Sequence, residues 1–268
     1  MKPSAPMRER VSEAEWAARV DLAACYRLVA LYGMADLIYN HITVRVPGEE
    51  GHFLINPFGL MYAEITASSL FKIDFEGRVI ERPDLPGDIE VNRAGFVIHS
   101  AVHAARHDVA CVLHTHTRAG MAVSAMACGL LPATQGALRF HGRLAYHDFE
   151  GPAVDEGERE RLVSDLGVHD AMVLRNHGLL TCGRSIAEAF LLMHRLEMAC
   201  RVQVDLMAAG TALHMPTPEV MEKTARILAP PTFTGRTGNE ASLGNWNGQR
   251  EWAALVRQLE RTDPSYRD

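Results

Sequence analysis

Apolar residues recur at two periods along this chain of 268 residues, and the two periods separate helices from strands. A three-to-four spacing runs through Trp16, Val20, Leu22, Tyr26, Leu28, Val29 and Leu31 and stops at Gly33. Ser12-Glu13-Ala14-Glu15 in front of it reads as a capping box, in which serine and glutamate side chains satisfy the first free amides of a helix. Helical spacing returns over 92–106, 117–128, 156–166, 186–209 and 218–228. Short runs rich in β-branched and aromatic residues predict strands at 42–46, 52–55, 71–75, 78–81, 109–113, 143–146, 172–174 and 179–181. Glu76-Gly77 separates two of them as a hairpin turn. Tight turns cannot join parallel neighbours, so the pattern predicts an α/β domain with a central mixed, largely antiparallel sheet. The domain is expected over 1–229. A polar tail, 230–268, carries Gly235, Gly238, Gly244 and Gly248 and a short helix near 250–259, and is expected to pack on the domain or a neighbouring subunit.

Composition narrows the functional classes. A hydrophobic content of 47% fills one sizeable core, and a formal net charge of -6 argues against nucleic acid as the main partner. No apolar run approaches the roughly 20 residues of a membrane span. Residues 1–10 lack the apolar stretch of a signal peptide. Five cysteines, odd in number and scattered through apolar contexts, predict reduced thiols and a cytoplasmic location.

The candidate chemistry lies in histidines. His114 and His116 close an apolar strand, and alternate residues of a strand share a face, so both imidazoles project together from its end. His177 also follows an apolar run, with Gly178 behind it. Thirteen histidines will produce an HxH by chance, but two strand-end placements point to one metal ion bound by converging neutral nitrogens. His99, His103 and His107 share a helical face at i, i+4 and i+8, where a structural role is the expectation and His99 is the nearest to the metal. Tyr146-His147-Asp148 offers oxygen partners for a metal-bound imidazole.

Several runs together resemble the class II aldolase and adducin family: Asn92 to His99, Val112 to His116, Arg175 to Leu180, Asn40 to Arg45 and Phe53 to Gly59, in order within residues 15–210. The resemblance implies a three-layer α/β/α domain, a homotetramer with active sites at subunit contacts, and His114, His116 and His177 as ligands of a divalent ion, zinc or alternatively manganese. It also brings Tyr62 and His41 towards the substrate. Three departures change the expected chemistry. The sugar-phosphate aldolases carry a glutamate ligand and base where this chain has Gly95, and phosphate-holding residues where it has Arg93, Ala94 and His41. Their catalytic tyrosine falls near Gln135-Gly136 and has no counterpart. The implied function is a decarboxylase or aldolase type of carbon–carbon lyase acting on a small carboxylate-bearing hydroxy or keto compound through a metal-stabilised enolate. Candidate bases are His99, Glu90, Tyr62 and Glu64; candidate substrate contacts are Arg93, His41, Gly59 and Arg139, with Arg45 and Arg175 as further carboxylate clamps. The adducin side of the family implies the alternative, a non-catalytic assembly module with a residual metal site.

Overall fold

The long first helix and the strands after it show how the sheet acquires two different faces. After a short turn of helix, α1 (Met7–Arg10), α2 spans Glu13–Leu31, and the Ser12 hydroxyl accepts from the Glu15 amide at 3.1 Å. Only half of the expected capping box forms. The Glu15 carboxylate is buried, bridging Arg19 and Lys72 at 2.8 Å each and tying α2 to the sheet. The computed structural model describes residues 5–87, 89–151, 156–228 and 248–268.

The strands are β1 (His41–Arg45), β2 (His52–Ile55), β3 (Pro57–Phe58), β4 (Phe71–Asp74), β5 (Val79–Glu81), β6 (Glu90–Val91), β7 (Cys111–Thr115), β8 (Ala145–His147), β9 (Ala171–Leu174) and β10 (Gly178–Gly183). Eight form one sheet in the order β5-β4-β2-β1-β7-β10-β9-β8, and β3 pairs with β6 separately. Every pairing in the large sheet is antiparallel except β8 with β9, as the tight turns predicted. β7 begins and ends two residues later than expected, because its pairing with β1 and β10 draws His114 and Thr115 into the ladder. The β3/β6 pair was not expected from the sequence; strands of two residues have no readable period.

Side-chain alternation sorts the apolar residues into two layers. Ile42, Val44, Cys111, Leu113, Val173 and Leu179 join Leu22, Leu28 and Phe190, which come from α2 and α7 (Ile186–Ala208), in one buried cluster. Val112, Met172, Leu174, Leu180 and Cys182 face the other way, against Ile98 and Val102 of α3 (Arg93–Ala105) and Leu162 and Leu166 of α6 (Glu156–Leu166). The result is a three-layer α/β/α sandwich. Each fully buried leucine or phenylalanine in these layers is worth about 1.5–3 kcal/mol of transfer free energy. The expected helix over 117–128 is α4 (Arg118–Ser124), followed by the short α5 (Gln135–Leu138) and, later, α8 (Pro218–Leu228).

The C-terminal helix, Gln249–Thr262, packs back on the same domain. Trp252 sets its ring against Phe190 at 6.0 Å, Asp263 bonds Arg27 at 2.7 Å, and Tyr266 is buried in the α2 cluster. The glycine-rich part of the tail, 230–247, lies outside the described residues. No helix among the described residues is long and apolar enough to cross a membrane.

Candidate metal centre

At the carboxyl end of β7, strand alternation sends His114 and His116 to the same side, and the β9–β10 turn brings His177 to meet them. That turn needs unusual backbone. Asn176 adopts a left-handed conformation with φ of 55°, a region asparagine tolerates better than most residues. Gly178 has no alternative: a Cβ there would lie 2.4 Å from the Thr115 carbonyl oxygen and 3.3–3.4 Å from the His116 and His114 rings. The missing side chain lets β10 approach β7 where the imidazoles converge.

The three Nε2 atoms point inward. His116 Nε2 lies 2.8 Å from His114 Nε2 and 2.9 Å from His177 Nε2. The opposite ring edges assign the tautomers of two of them. His114 Nδ1 donates to the Leu179 carbonyl at 2.9 Å, and His116 Nδ1 donates to the Asp36 carboxylate at 3.1 Å. In the neutral rings both Nε2 atoms are bare lone pairs, and two lone pairs 2.8 Å apart repel unless a cation lies between them. Burial, followed by the neighbouring imidazoles, pushes His114 well below its ordinary value and His177 down to about 4, so both are neutral near pH 7. Convergent neutral nitrogens, two of them oriented from behind by an oxygen, are a donor set that fits a divalent ion such as zinc.

The trio opens into a cavity of about 420 Å³ that Asp36, Tyr39, His41, Asn92 and Phe149 also line. His41 is no loop residue. It opens β1 opposite His114 in register, is 4% exposed, and passes its ring over Gly95 so closely that a Cβ at 95 would sit 2.2 Å from a ring carbon. Glycine at 95 and histidine at 41 are thus one packing solution. His99 lies behind His41, wholly buried, with Nε2 2.8 Å from His41 Nδ1, and does not line the cavity.

Several sequence-derived candidates take other places. Tyr62 is buried in the α2 cluster, edge-on to Tyr26 at 4.5 Å, because its ring fills the core on the opposite face. Glu90 is exposed on β6 opposite Phe58, and Gly59 occupies the turn after β3; neither lines the cavity. Glu64 caps the Met61 amide at 2.7 Å. Arg139 lines a second cavity of about 660 Å³ with His194, Arg195 and Glu251, where burial brings its guanidinium down to about 10. Arg45 donates to the Val109 carbonyl at 2.8 Å and to the His103 carbonyl. Arg175 stacks over Tyr146 at 4.4 Å and donates to the Met126 carbonyl. These last two arginines hold backbone and are not carboxylate clamps. Of Arg93 and Ala94, at the start of α3, only the backbone is described. His147 pairs with Asp165 at 2.7 Å on α6, and His107 falls beyond the end of α3. Asp36, Tyr39 and Phe149 escaped the sequence reading; all three lie in irregular segments with no period to mark them.

The chain is similar to known proteins over most of its length. Residues 20–204 match the model of the class II aldolase and adducin N-terminal domain. The crystal structure of an aldolase II superfamily protein from Pseudomonas syringae is 49% identical, covers 98% of this chain and all of its own, and superposes with a TM-score of 0.87. An L-fuculose 1-phosphate aldolase from Glaciozyma antarctica is 29% identical, covers all of this chain and 97% of its own, and superposes at 0.77. Rat alpha-adducin is 45% identical over 93% of this chain, which spans 34% of that protein's length.

Proposed function

The chain belongs to the class II aldolase and adducin family, and from that premise we propose that it is a metal-dependent carbon–carbon lyase acting on a small, unphosphorylated hydroxy or keto acid. The observation that carries the proposal is the convergence of the Nε2 atoms of His114, His116 and His177, with 2.8 Å and 2.9 Å between neighbours, in an open cavity. His114, His116 and His177 would hold the ion, zinc for preference and manganese as the alternative. When bound, such an ion acts as a Lewis acid on a substrate oxygen, which serves decarboxylation and retro-aldol cleavage alike.

The rest falls to the protein's own residues. The Leu179 carbonyl and the Asp36 carboxylate hold two imidazoles in the tautomers that free Nε2. Tyr39 and Phe149 wall the cavity with aromatic surface. No lysine or arginine is among its described lining residues. The His41 ring fills the space over Gly95, and no carboxylate reaches in from that position. A ligand that brings its own negative charge next to a hydroxyl or ketone suits this cavity better than a sugar phosphate. A homo-oligomer, expected to sediment above the 29.6 kDa of one chain, completes the proposal.

Steady-state assays of the zinc-loaded protein against sugar phosphates and hydroxylated dicarboxylic acids test this reading. Turnover of an acid supports it; efficient cleavage of a sugar phosphate, with no turnover or inhibition by acids, overturns it. The second reading, a non-catalytic assembly module, draws on the 45% identity to rat alpha-adducin and is favoured if neither class of compound binds.

A further inference from the structure

Behind the metal centre, four polar side chains are buried in a row between β1 and α3. His41 Nδ1 lies 2.8 Å from His99 Nε2, His99 Nδ1 lies 2.8 Å from Thr43 Oγ1, and Thr43 Oγ1 lies 2.8 Å from His103 Nε2. His41 is 4% exposed and the other three not at all. Each contact needs one proton, a hydroxyl has one to give, and a neutral imidazole carries a single N–H. A neutral chain of this kind therefore has only two self-consistent arrangements, each the reverse of the other. In one, every proton points towards the cavity and His41 ends in Nε2–H. In the other, every proton points away from the cavity and His41 Nε2 is a bare lone pair.

The far end decides between them. His103 Nε2 is committed to Thr43, and Nδ1 makes no full hydrogen bond among the described residues. The backbone oxygen of Val109, which can only accept, favours a proton on the remaining nitrogen. With Nδ1 protonated, His103 Nε2 accepts from Thr43, Thr43 accepts from His99 Nδ1, and His99 Nε2 accepts from His41 Nδ1. Burial, followed by the Arg45 charge, pushes His103 down to about 3, so this end of the chain stays neutral. At the near end His41 lines the cavity, and its Nε2 takes no hydrogen-bond partner among the described residues.

We propose that this buried chain locks His41 with its proton on Nδ1 and its bare Nε2 facing the cavity, where it accepts a hydrogen bond from a substrate hydroxyl. Thr43, His99 and His103 are positioning residues that act through His41. The part played by the hydroxyl rests on the hydroxy-acid reading of the cavity; the lock itself does not.

Protein labelled with ¹⁵N in histidine and stripped of metal gives the direct readout. Long-range ¹H–¹⁵N correlation should show a protonated Nδ1 and an unprotonated Nε2 on His41, assigned by the signal lost in His41→Asn. Thr43→Val should mix the two tautomers of His41, and Thr43→Ser should restore one. Calorimetric titration of the zinc-loaded protein should then favour hydroxymalonate over malonate by about tenfold, the worth of one hydrogen bond, with most of that preference lost in Thr43→Val. A protonated Nε2 on His41 in the wild type overturns the lock, and so does an unchanged His41 in a folded Thr43→Val. Equal affinities for the two acids, with the tautomer as expected, overturn the acceptor role. Failure of both acids to bind overturns the hydroxy-acid reading, while the nitrogen shifts uphold the lock. The wild-type spectrum decides the tautomer even if Thr43→Val does not fold.

Discussion

Two sets of histidines meet at one end of the sheet, and their nitrogens are used in opposite ways. In His114, His116 and His177 the Nε2 atoms crowd together, and the two whose tautomers are fixed turn bare lone pairs towards each other. In His41, His99 and His103 the nitrogens are strung through Thr43 in a line where donors can alternate with acceptors. Ring type is the same in both, although His116 and His177 are only partly buried; the difference lies in what stands behind each ring. A carbonyl or carboxylate behind His114 and His116 forces the proton outward and leaves a ligand atom, whereas a hydroxyl relay between rings uses up both nitrogens of His99. One set turns nitrogens towards each other, and the other can pair each of its contacts donor to acceptor.

Removing one member of each set is the strongest way to break the comparison. His116→Ala should lower zinc affinity by well over 100-fold in a competitive chelator titration, while His99→Ala keeps one ion per chain. Asp36→Ala removes only the oxygen behind His116 and should weaken zinc by about 10–100-fold. A smaller effect concerns the packing that separates the sets. Gly95→Ala puts a Cβ 2.2 Å from a His41 ring carbon and should cost about 1–3 kcal/mol of stability in urea unfolding, relieved when combined with His41→Ala.

The smallest effect is in pH. His103 falls from 6.5 to about 3 on folding, mainly through burial, so the unfolded chain binds the extra proton. Its contribution to stability is complete above about 6.5 and is lost as the pH falls towards about 3. Metal-stripped protein should unfold at lower urea at pH 5 than at pH 7, and His103→Asn should flatten that slope.

Much of the first set was legible in the sequence, and little of the second. Period-two alternation placed His114 and His116 on one side, and the mixed sheet followed from turns too short for crossovers. The chain behind His41 was not readable, because it depends on β1 lying beside β7 and under α3. That register brings His41 over Gly95, residues whose separation in sequence carries no signal. The same limit hid Asp36, a loop carboxylate that reaches His116 only through the fold. Arginine type was misleading: Arg45 and Arg175 looked suited to binding anions but hold backbone carbonyls instead. Tyr62 failed for a related reason, since a tyrosine near a loop in sequence became a core ring once β1 and α2 closed over it.

The central claim is that the convergent trio is a metal site and the linked trio is not. X-ray absorption at the zinc edge, on protein reconstituted with one equivalent of zinc per chain, tests it most directly. The account predicts an inner shell with three imidazole nitrogens at about 2.0–2.1 Å, retained in His99→Ala and lost in His116→Ala. A shell made only of oxygens, or an imidazole shell unchanged in His116→Ala, would contradict it.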